Sequence, residues 1–434
     1  MATEYLHAVP HLTTALTGPL QHLEEHLLGH QGDIEQWLRS QWQETRAPFY
    51  ASVDLRNAGF KLAPVDTNLF PAGFNNLGAA FMPLCVQAAQ SAMEHYGPKV
   101  RNILLVPESH TRNLFYLESL ASLQKILEAA GYHVRIGSLI ADLKEPLSVT
   151  LPSGGNVVLE PLIREANRLR LGDFSPCFVL LNNDMSGGRP EILEHLDQPV
   201  VPPLAVGWSN RLKSSHFTHY RRVAGEFARL VAIDPWLIDP LFRNCGQIDF
   251  QQRIGEECLV TNVAEVLKQI TEKYREYGID QRPFVIVKSD AGTYGMNIMT
   301  VYGTDELREL NRKQRTKMAR GKEGHHVSDV IVQEGVYTFE TWGEPQATAE
   351  PVVYMIDRYV VGGFYRVHPG RGRDENLNTP GMSFRALAFE ESCIQPDPTR
   401  APDARPNRFY AYGVIARLAL LAAAREIQEA SLGG

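Results

Sequence analysis

A lysine beside a glycine-bearing loop is the first arrangement in this sequence that could do chemistry. Lys288 ends an apolar run, residues 284–287, and a polar loop with Gly292 and Gly295 follows before a second apolar run at 298–301. The pattern predicts a β-hairpin with a long tip. Glycines let backbone N–H groups approach a ligand, and the lysine adds a compact positive charge, as a phosphate site requires. An ordinary hairpin with a surface lysine fits these residues equally well.

A second concentration of hydrogen-bonding side chains lies between residues 52 and 78. Neither a helical nor a strand period persists there, so the stretch is either a turn-rich structural segment or the loop-built wall of a polar substrate site. In a substrate site Arg56 would hold a carboxylate, because guanidinium binds carboxylates through two parallel hydrogen bonds. The other polar candidates in this stretch are Lys61, Asp66, Asn68, Asn75 and Asn76.

The elements that follow alternate between strand and helix. Strands are predicted at residues 102–106, 132–136, 156–159 and 177–181, with helices at 113–130 and through Arg170. This alternation favours a mostly parallel sheet with helices on its faces. Ligands bind beyond the carboxyl ends of strands in such sheets, so Arg112 and Asn183 are candidate binding residues. Helix capping is the alternative for both.

The C-terminal half supplies further strands and a closing helix. Helices are predicted at residues 263–277, from Thr304 onward and at 409–430. Strands are predicted at residues 330–336, 350–355, 358–361 and 364–367, with Gly362-Gly363 as a turn and a polar loop at 368–383. The last helix is apolar enough to close a core.

A histidine pair offers a different chemistry. His22, Glu25 and His26 fit the H-x-x-E-H pattern of zinc peptidases on a predicted helix at 19–45. A polar face of an amphipathic helix is the favoured interpretation, since no motif for a third ligand follows.

Composition narrows the class of protein. The chain has 434 residues, room for two or three domains, and a formal net charge of −7, which disfavours a nucleic-acid partner. Its five cysteines contain no C-x-x-C pair, and the N-terminus lacks the pattern of a signal peptide. We therefore expect a cytoplasmic protein without a membrane segment, and a homo-oligomer is compatible with the sequence.

The order of these elements resembles the nucleotide-binding half of the ATP-grasp superfamily. Two stretches, D-L-R-N-A-G-F-K-L-A-P-V-D-T-N-L-F-P-A-G-F-N-N-L and V-K-S-D-A-G-T-Y-G-M, resemble the proteobacterial ATP-grasp type of glutamate–cysteine ligase. The resemblance implies an α/β (α+β) protein with an ATP-grasp fold and an N-terminal, mostly parallel α/β domain. It implies a helical segment at 1–50, a substrate-side domain at 51–203 and a nucleotide-binding region at 204–434, with 283–336 as the first lobe.

The resemblance also implies roles for individual residues. Glutamate, cysteine and ATP would be the small-molecule partners, with two Mg²⁺ ions as cofactors. Lys288 and Arg366 would be catalytic, and residues 290–295 would be a mobile cover over ATP. The implied ATP-binding residues are Lys213, Lys288, Asp290, Gly292, Thr293, Tyr294, Gly295, Gln333, Glu334 and Val336. The implied substrate-binding residues are Arg56, Asn68, Asn75, Asn76, Arg112, Asn183 and Arg358, and the implied metal ligands are Glu350, Glu375, Asn376 and Asn378.

Overall fold

The computed structural model describes residues 19–109, 113–291, 298–310, 312–318, 329–343, 346–386 and 409–432. Its helices are α1 (Pro19–Gly29), α2 (Gln31–Glu44), α3 (Met82–Glu94), α4 (Leu114–Ala129), α5 (Lys213–Leu230), α6 (Glu256–Glu276), α7 (Thr304–Arg308), α8 (Arg312–Met318) and α9 (Phe409–Leu432). The strands of the first half are β1 (Tyr50–Asn57), β2 (Leu62–Asn68), β3 (Asn102–Pro107), β4 (His133–Ser138), β5 (Leu147–Thr150), β6 (Asn156–Pro161), β7 (Ile163–Glu165), β8 (Arg168–Arg170), β9 (Phe178–Asn182) and β10 (Val200–Val201). Those of the second half are β11 (Phe242–Gln247), β12 (Val285–Ser289), β13 (Ile298–Val301), β14 (Asp329–Glu334), β15 (Thr341–Trp342), β16 (Ala347–Ile356), β17 (Tyr359–His368) and β18 (Ser383–Ala386).

The predicted parallel sheet is present, in the order β10-β9-β3-β4-β6-β5. Only the β5–β6 pair in it is antiparallel, and its four predicted strands are confirmed. The predicted helix through Arg170 is wrong, because β7 and β8 form a hairpin there. Ala166 turns that hairpin at a φ of 49°, and the Arg164 Nε–H bonds the Ala166 carbonyl.

The stretch at residues 52–78 is mostly a β-hairpin. Strands β1 and β2 pair with each other, and β1 also pairs with β16, giving a sheet in the order β18-β17-β16-β1-β2 with β15 on β16. Almost every residue of β1 is buried, so both faces of the strand are covered and the usual polar–apolar alternation is lost. The polar residues that obscured the period, Arg56, Asn57 and Lys61, are themselves buried.

The predicted turn at Gly362-Gly363 is wrong, because the chain turns at residues 357–358 and β17 runs through both glycines. Gly362 has a φ of +136°, and a Cβ atom there would lie 3.2 Å from the Phe81 ring. The pairing register shifts nearby, between Tyr354 and Met355 of β16. The glycine pair therefore marks an irregularity inside a strand and a close approach of α3.

The third sheet carries the opening hairpin, in the antiparallel order β11-β14-β12-β13. The β12–β13 pairing is confirmed, with Lys288 opposite Ile298. The helix predicted from Thr304 is described in two pieces, α7 and α8. The predicted closing helix is α9, whose residues 410–424 are all buried; the sequence predicts a helix apolar on one face, and here the other face is covered as well.

The architecture is therefore mixed α/β with several sheets. The antiparallel sheet joins β1 and β2 to β16, β17 and β18, so it draws on both sides of residue 203. The predicted domain limits stay a prediction. Within the described ranges no helix is long and apolar enough to cross a membrane.

Candidate active site

A cavity of about 820 Å³ lies between the two antiparallel sheets and is bounded on one side by the start of α4. Most of the predicted side chains that the structure describes converge on its wall. Those lining it are Arg56, Asn68, Asn75, Asn76, Lys213, Lys288, Gln333, Glu334, Val336, Glu350, Arg366, Glu375, Asn376 and Asn378.

Two lysines form one corner of the cavity around a single carboxylate. Lys288, at the end of β12, donates from Nζ to the Val65 carbonyl at 2.8 Å. Lys213, at the start of α5, lies with Nζ 2.6 Å from Asp66 Oδ1. Burial lowers the pKa of Lys288 to about 8. Burial would raise the pKa of Asp66, but the Lys213 and Lys288 charges lower it to about 2. Below pH 8 this corner therefore carries an excess positive charge, which suits a phosphate group.

Asp290 supports this corner from behind and does not line the cavity. Its Oδ1 accepts from the Ser214 N–H at 2.7 Å, and its Oδ2 accepts from Ser214 Oγ at 2.6 Å and Asn244 Nδ2 at 3.1 Å. Its carbonyl accepts from the Lys213 N–H at 2.7 Å. Asp290 thus fixes the backbone that carries Lys213. The rest of the predicted cover loop, with Gly292, Thr293, Tyr294 and Gly295, lies outside the described residues.

An arginine between two carboxylates forms a neighbouring part of the wall. Arg366 Nη1 lies 2.5 Å from Glu350 Oε1 and 3.0 Å from Asp54 Oδ2. Burial opposes its charge, but these two carboxylates outweigh that effect and raise the pKa of Arg366. Burial raises the pKa of Asp54 in spite of the nearby Arg366. The Arg366 Nε–H is buried and has no partner among the described residues.

Arg56 is a structural hub as well as a wall residue. Its Nε donates to Glu350 Oε2 at 3.0 Å. Its Nη1 donates to the carbonyls of Val336 and Arg373 at 3.2 and 3.3 Å, and its Nη2 to that of Glu375 at 2.5 Å. Since the protein already occupies these donors, Arg56 can hold a substrate carboxylate only by exchanging partners. Its predicted role as a clamp stays a prediction.

The end of β14 contributes an amide side chain and neighbouring apolar side chains to the cavity wall. The buried Gln333 Nε2 has no partner among the described residues, and Ile286 and Val336 line the cavity with it. The Glu334 carboxylate is engaged elsewhere, by Lys61 Nζ at 2.8 Å, Trp236 Nε1 at 3.1 Å and the Leu241 N–H at 2.9 Å. Gln333 therefore lines the cavity with its Nε2 atom buried, whereas the Glu334 carboxylate is occupied by structural partners.

The predicted metal ligands supply oxygen atoms that already have partners. Glu350 pairs with Arg56 and Arg366. Glu375 accepts from Arg371 Nη1 at 2.8 Å and from the Gly372 N–H at 2.7 Å. Asn376 Oδ1 accepts from the Asn378 N–H. In the described part of the chain no three His, Cys, Asp or Glu side chains form a metal-binding group. Carboxylate and amide oxygens fit Mg²⁺, which also takes ligands from water and substrate phosphates.

The zinc-peptidase pattern has no metal-binding group around it in the described residues. His22 and Glu25 are exposed on α1. His26 uses Nε2 in a hydrogen bond with the Val231 carbonyl, and His30 Nδ1 bonds the His26 carbonyl at 2.9 Å.

Two predicted substrate residues lie away from the cavity. Arg358 is exposed at the turn between β16 and β17, with Nη2 3.1 Å from the Tyr359 hydroxyl. Asn183 shapes its own loop, since its Oδ1 accepts from the Met185 N–H at 2.8 Å. Arg112 lies outside the described residues.

Sequence reasoning missed several wall residues, among them Asp54, Phe115 and Asp184. Asp54 stands directly opposite Asp66 across the β1–β2 pair. Two negative charges in that position repel each other. The positive charges of the lysine corner and of Arg366 offset that repulsion here. A carboxylate inside an otherwise buried strand was the signal that could have identified Asp54.

The protein has a mixed α/β fold with a cavity lined by charged side chains. Residues 24–427 match the family model GshA, described as glutamate-cysteine ligase, and the chain belongs to that family. A crystal structure of a protein from Methylobacillus flagellatus KT, provisionally named gamma-glutamylcysteine synthetase, shares 60% identity and a TM-score of 0.89. That alignment covers 97% of this chain and 99% of the other.

A glutathione synthetase-like effector from Globodera pallida aligns over 85% of this chain and 80% of its own. The identity is 10% and the TM-score is 0.34. The search of curated proteins gave no significant match.

Proposed function

We propose that this chain is an ATP-dependent, ADP-forming ligase that joins the γ-carboxylate of glutamate to the amine of cysteine. The observation that carries the proposal is the cavity, whose wall contains both the buried lysine corner of Lys213 and Lys288 and the Arg366 guanidinium. Family membership supports the same reaction. We further propose that the β11–β14 sheet and the β16–β18 region form the nucleotide-binding half of an ATP-grasp fold, with the parallel-sheet region on the substrate side.

A carboxylate is a poor electrophile, so the reaction requires an activated acyl group. ATP would transfer its γ-phosphoryl group to the glutamate γ-carboxylate, giving γ-glutamyl phosphate and ADP, and the cysteine amine would then displace phosphate. The protein's contribution to phosphoryl transfer is mainly placement and charge neutralisation. Lys288 and Lys213 would hold phosphate oxygens, and the Arg366 guanidinium would stabilise charge on the acyl phosphate.

The nucleotide base would occupy the β14 side of the cavity. Gln333 is 2% exposed, and its Nε2 has no partner among the described residues. An acceptor nitrogen of adenine would pair with this donor once the amide turns toward the cavity, which would remove the penalty of the unpaired group. The neighbouring Ile286 and Val336 supply the apolar surface that an aromatic base needs.

Magnesium would lie near the two carboxylates of the cavity wall. Glu350, Glu375, Asn376 and Asn378 are the candidate ligands, with Glu375 held by Arg371 and Gly372 before metal binds. When bound, Mg²⁺ neutralises charge on the phosphate oxygens. The protein's part is to present oxygen ligands from β16 and from the loop after β17.

The direct test is ADP release across a panel of amino acids and γ-glutamyl dipeptides. We expect ADP only when glutamate and cysteine are both present with ATP and Mg²⁺. ADP formation with γ-glutamylcysteine and glycine would instead identify a glutathione-synthetase-like ligase. No ADP with any pair would leave a nucleotide or amino-acid binding module, and zinc in the purified protein would revive the peptidase alternative. A small-molecule enzyme of this kind also fits the expected cytoplasmic location.

A further inference from the structure

Two cysteine thiols lie close together outside the cavity. Cys245 is buried in β11, and Cys258 is exposed in the first turn of α6. One atom, Asn262 Nδ2, lies 3.3 Å from the Cys245 sulfur and 3.5 Å from the Cys258 sulfur. We propose that Cys245 and Cys258 form a reversible disulfide, and that this modification weakens nucleotide binding at the cavity.

Cys245 occupies a position that can move. The β11–β14 register shifts between Asn244 and Gly246, so Cys245 is the extra residue of a bulge and has no partner in the ladder. Gly246 follows it at a φ of +64°, and Asn244 Oδ1 closes the turn by accepting from the Gly246 N–H at 2.5 Å. Bulges re-aim side chains, and Cys245 has no ladder pairing to lose, so its sulfur can approach Cys258 while the pairs on either side of the bulge remain.

The same asparagine that closes the bulge also holds the lysine corner. Asn244 Nδ2 donates to Ser214 Oγ at 2.9 Å and to Asp290 Oδ2 at 3.1 Å. Asp290 in turn holds the Lys213 N–H through its carbonyl. A Cys245 sulfur drawn toward α6 would pull Asn244 away from Asp290 and loosen the backbone that carries Lys213. This coupling rests on the proposed nucleotide site, whereas the disulfide itself does not.

The reaction needs an oxidant, and a small-molecule disulfide such as the disulfide of cysteine supplies it. The exposed Cys258 thiolate attacks one sulfur of that disulfide, forming a mixed disulfide and releasing one thiolate. The Cys245 thiolate then attacks the Cys258 sulfur and releases the second thiolate. Two protein thiols lose two electrons and the oxidant gains them as two thiols, which take up the two protons. Burial raises the pKa of Cys245 to about 11, so the second step is the slow one and accelerates with pH.

The test uses the full chain incubated with the disulfide of cysteine at pH 8.5. Peptide mapping without reduction, after alkylation of the remaining thiols, should find a cross-linked peptide containing Cys245 and Cys258. Calorimetric titration with a non-hydrolysable ATP analogue and Mg²⁺ should show about tenfold weaker binding, because a hydrogen bond to a charged carboxylate is lost. Dithiothreitol should restore the affinity. Cys245→Ser and Cys258→Ser should keep full affinity after oxidation, and the matched control Cys177→Ser should respond like the wild type.

Absence of the cross-linked peptide, or a product modified at Cys258 alone, overturns the modification site. A cross-link with unchanged affinity for the analogue overturns the coupling to Lys213. Failure of the reduced wild-type chain to bind the analogue refutes the proposed function, and the peptide map still decides the disulfide.

Discussion

Replacing Lys288 with methionine should separate catalysis from stability. Burial lowers the pKa of this lysine from its usual 10.5 to about 8, so keeping the ammonium charged in the folded state at pH 7 costs about 3 kcal/mol. Loss of the 2.8 Å hydrogen bond to the Val65 carbonyl destabilises the variant by about 1 kcal/mol. This loss offsets part of the gain from removing the buried charge. We expect Lys288→Met to raise the free energy of unfolding by about 2 kcal/mol at pH 7, while ADP formation falls by about 10² to 10³-fold.

The stability gain has a defined pH dependence. Below pH 8 Lys288 is protonated in both folded and unfolded chains, so the wild type bears the full cost. As the pH rises from 8 to 10.5 the folded lysine is neutral, the cost disappears, and so does the advantage of Lys288→Met.

Urea unfolding at pH 7 and pH 10 together with a coupled ADP assay at pH 7 tests both expectations. Lys288→Arg is the matched control, because it keeps the charge and should not gain stability. Normal ADP formation by Lys288→Met would refute the phosphate role. A variant that is more than about 1 kcal/mol less stable than the wild type at pH 7 would refute the burial cost derived from the pKa.

Three further substitutions test other parts of the site. Gln333→Leu should raise KM for ATP about tenfold with little change in kcat, because one hydrogen bond to the base is lost; an unchanged KM would place the base elsewhere. Lys61→Met should lower the free energy of unfolding by about 3 to 5 kcal/mol in urea, because it leaves Glu334 buried and unpaired, and adding Glu334→Gln should recover part of the loss. Arg358→Ala should keep kcat and KM within about twofold, as expected of an exposed residue away from the cavity; a large rise in KM for either amino acid would contradict that placement.

Local signals were sufficient for the parallel sheet, the β12–β13 hairpin and α9. Each is an apolar run of uniform period bounded by polar residues or glycine, so neighbours in sequence determine it. The β1–β2 hairpin lacked such a signal because both of its faces are buried and its polar groups find partners elsewhere in the fold. Lys61, for example, meets Glu334 at a separation of 273 residues.

Some residues of the candidate site could likewise be predicted from the sequence, and others could not. Lys288 and Gln333 could be found because they stand at strand ends that resemble a known nucleotide site. The partners that Arg56 already has within the protein could not be predicted, because its guanidinium donates to backbone carbonyls near residues 336 and 373–375, which are distant in sequence. Arg358 was assigned a substrate role through the family resemblance, and the chain turns at residues 357–358, five residues before the glycine pair, which leaves Arg358 exposed at that turn.

The pairing of β1 with β16 has a consequence for how the chain folds. Tyr50 pairs with Ile356, so about 300 residues must be synthesised before β1 can pair with β16. At about 5 to 20 residues per second, the delay is roughly 15 to 60 s. During that time an edge of β1 and the polar groups it buries are exposed to water and to other chains. We expect slow folding dominated by this long-range closure, and a chain that depends on chaperones during synthesis.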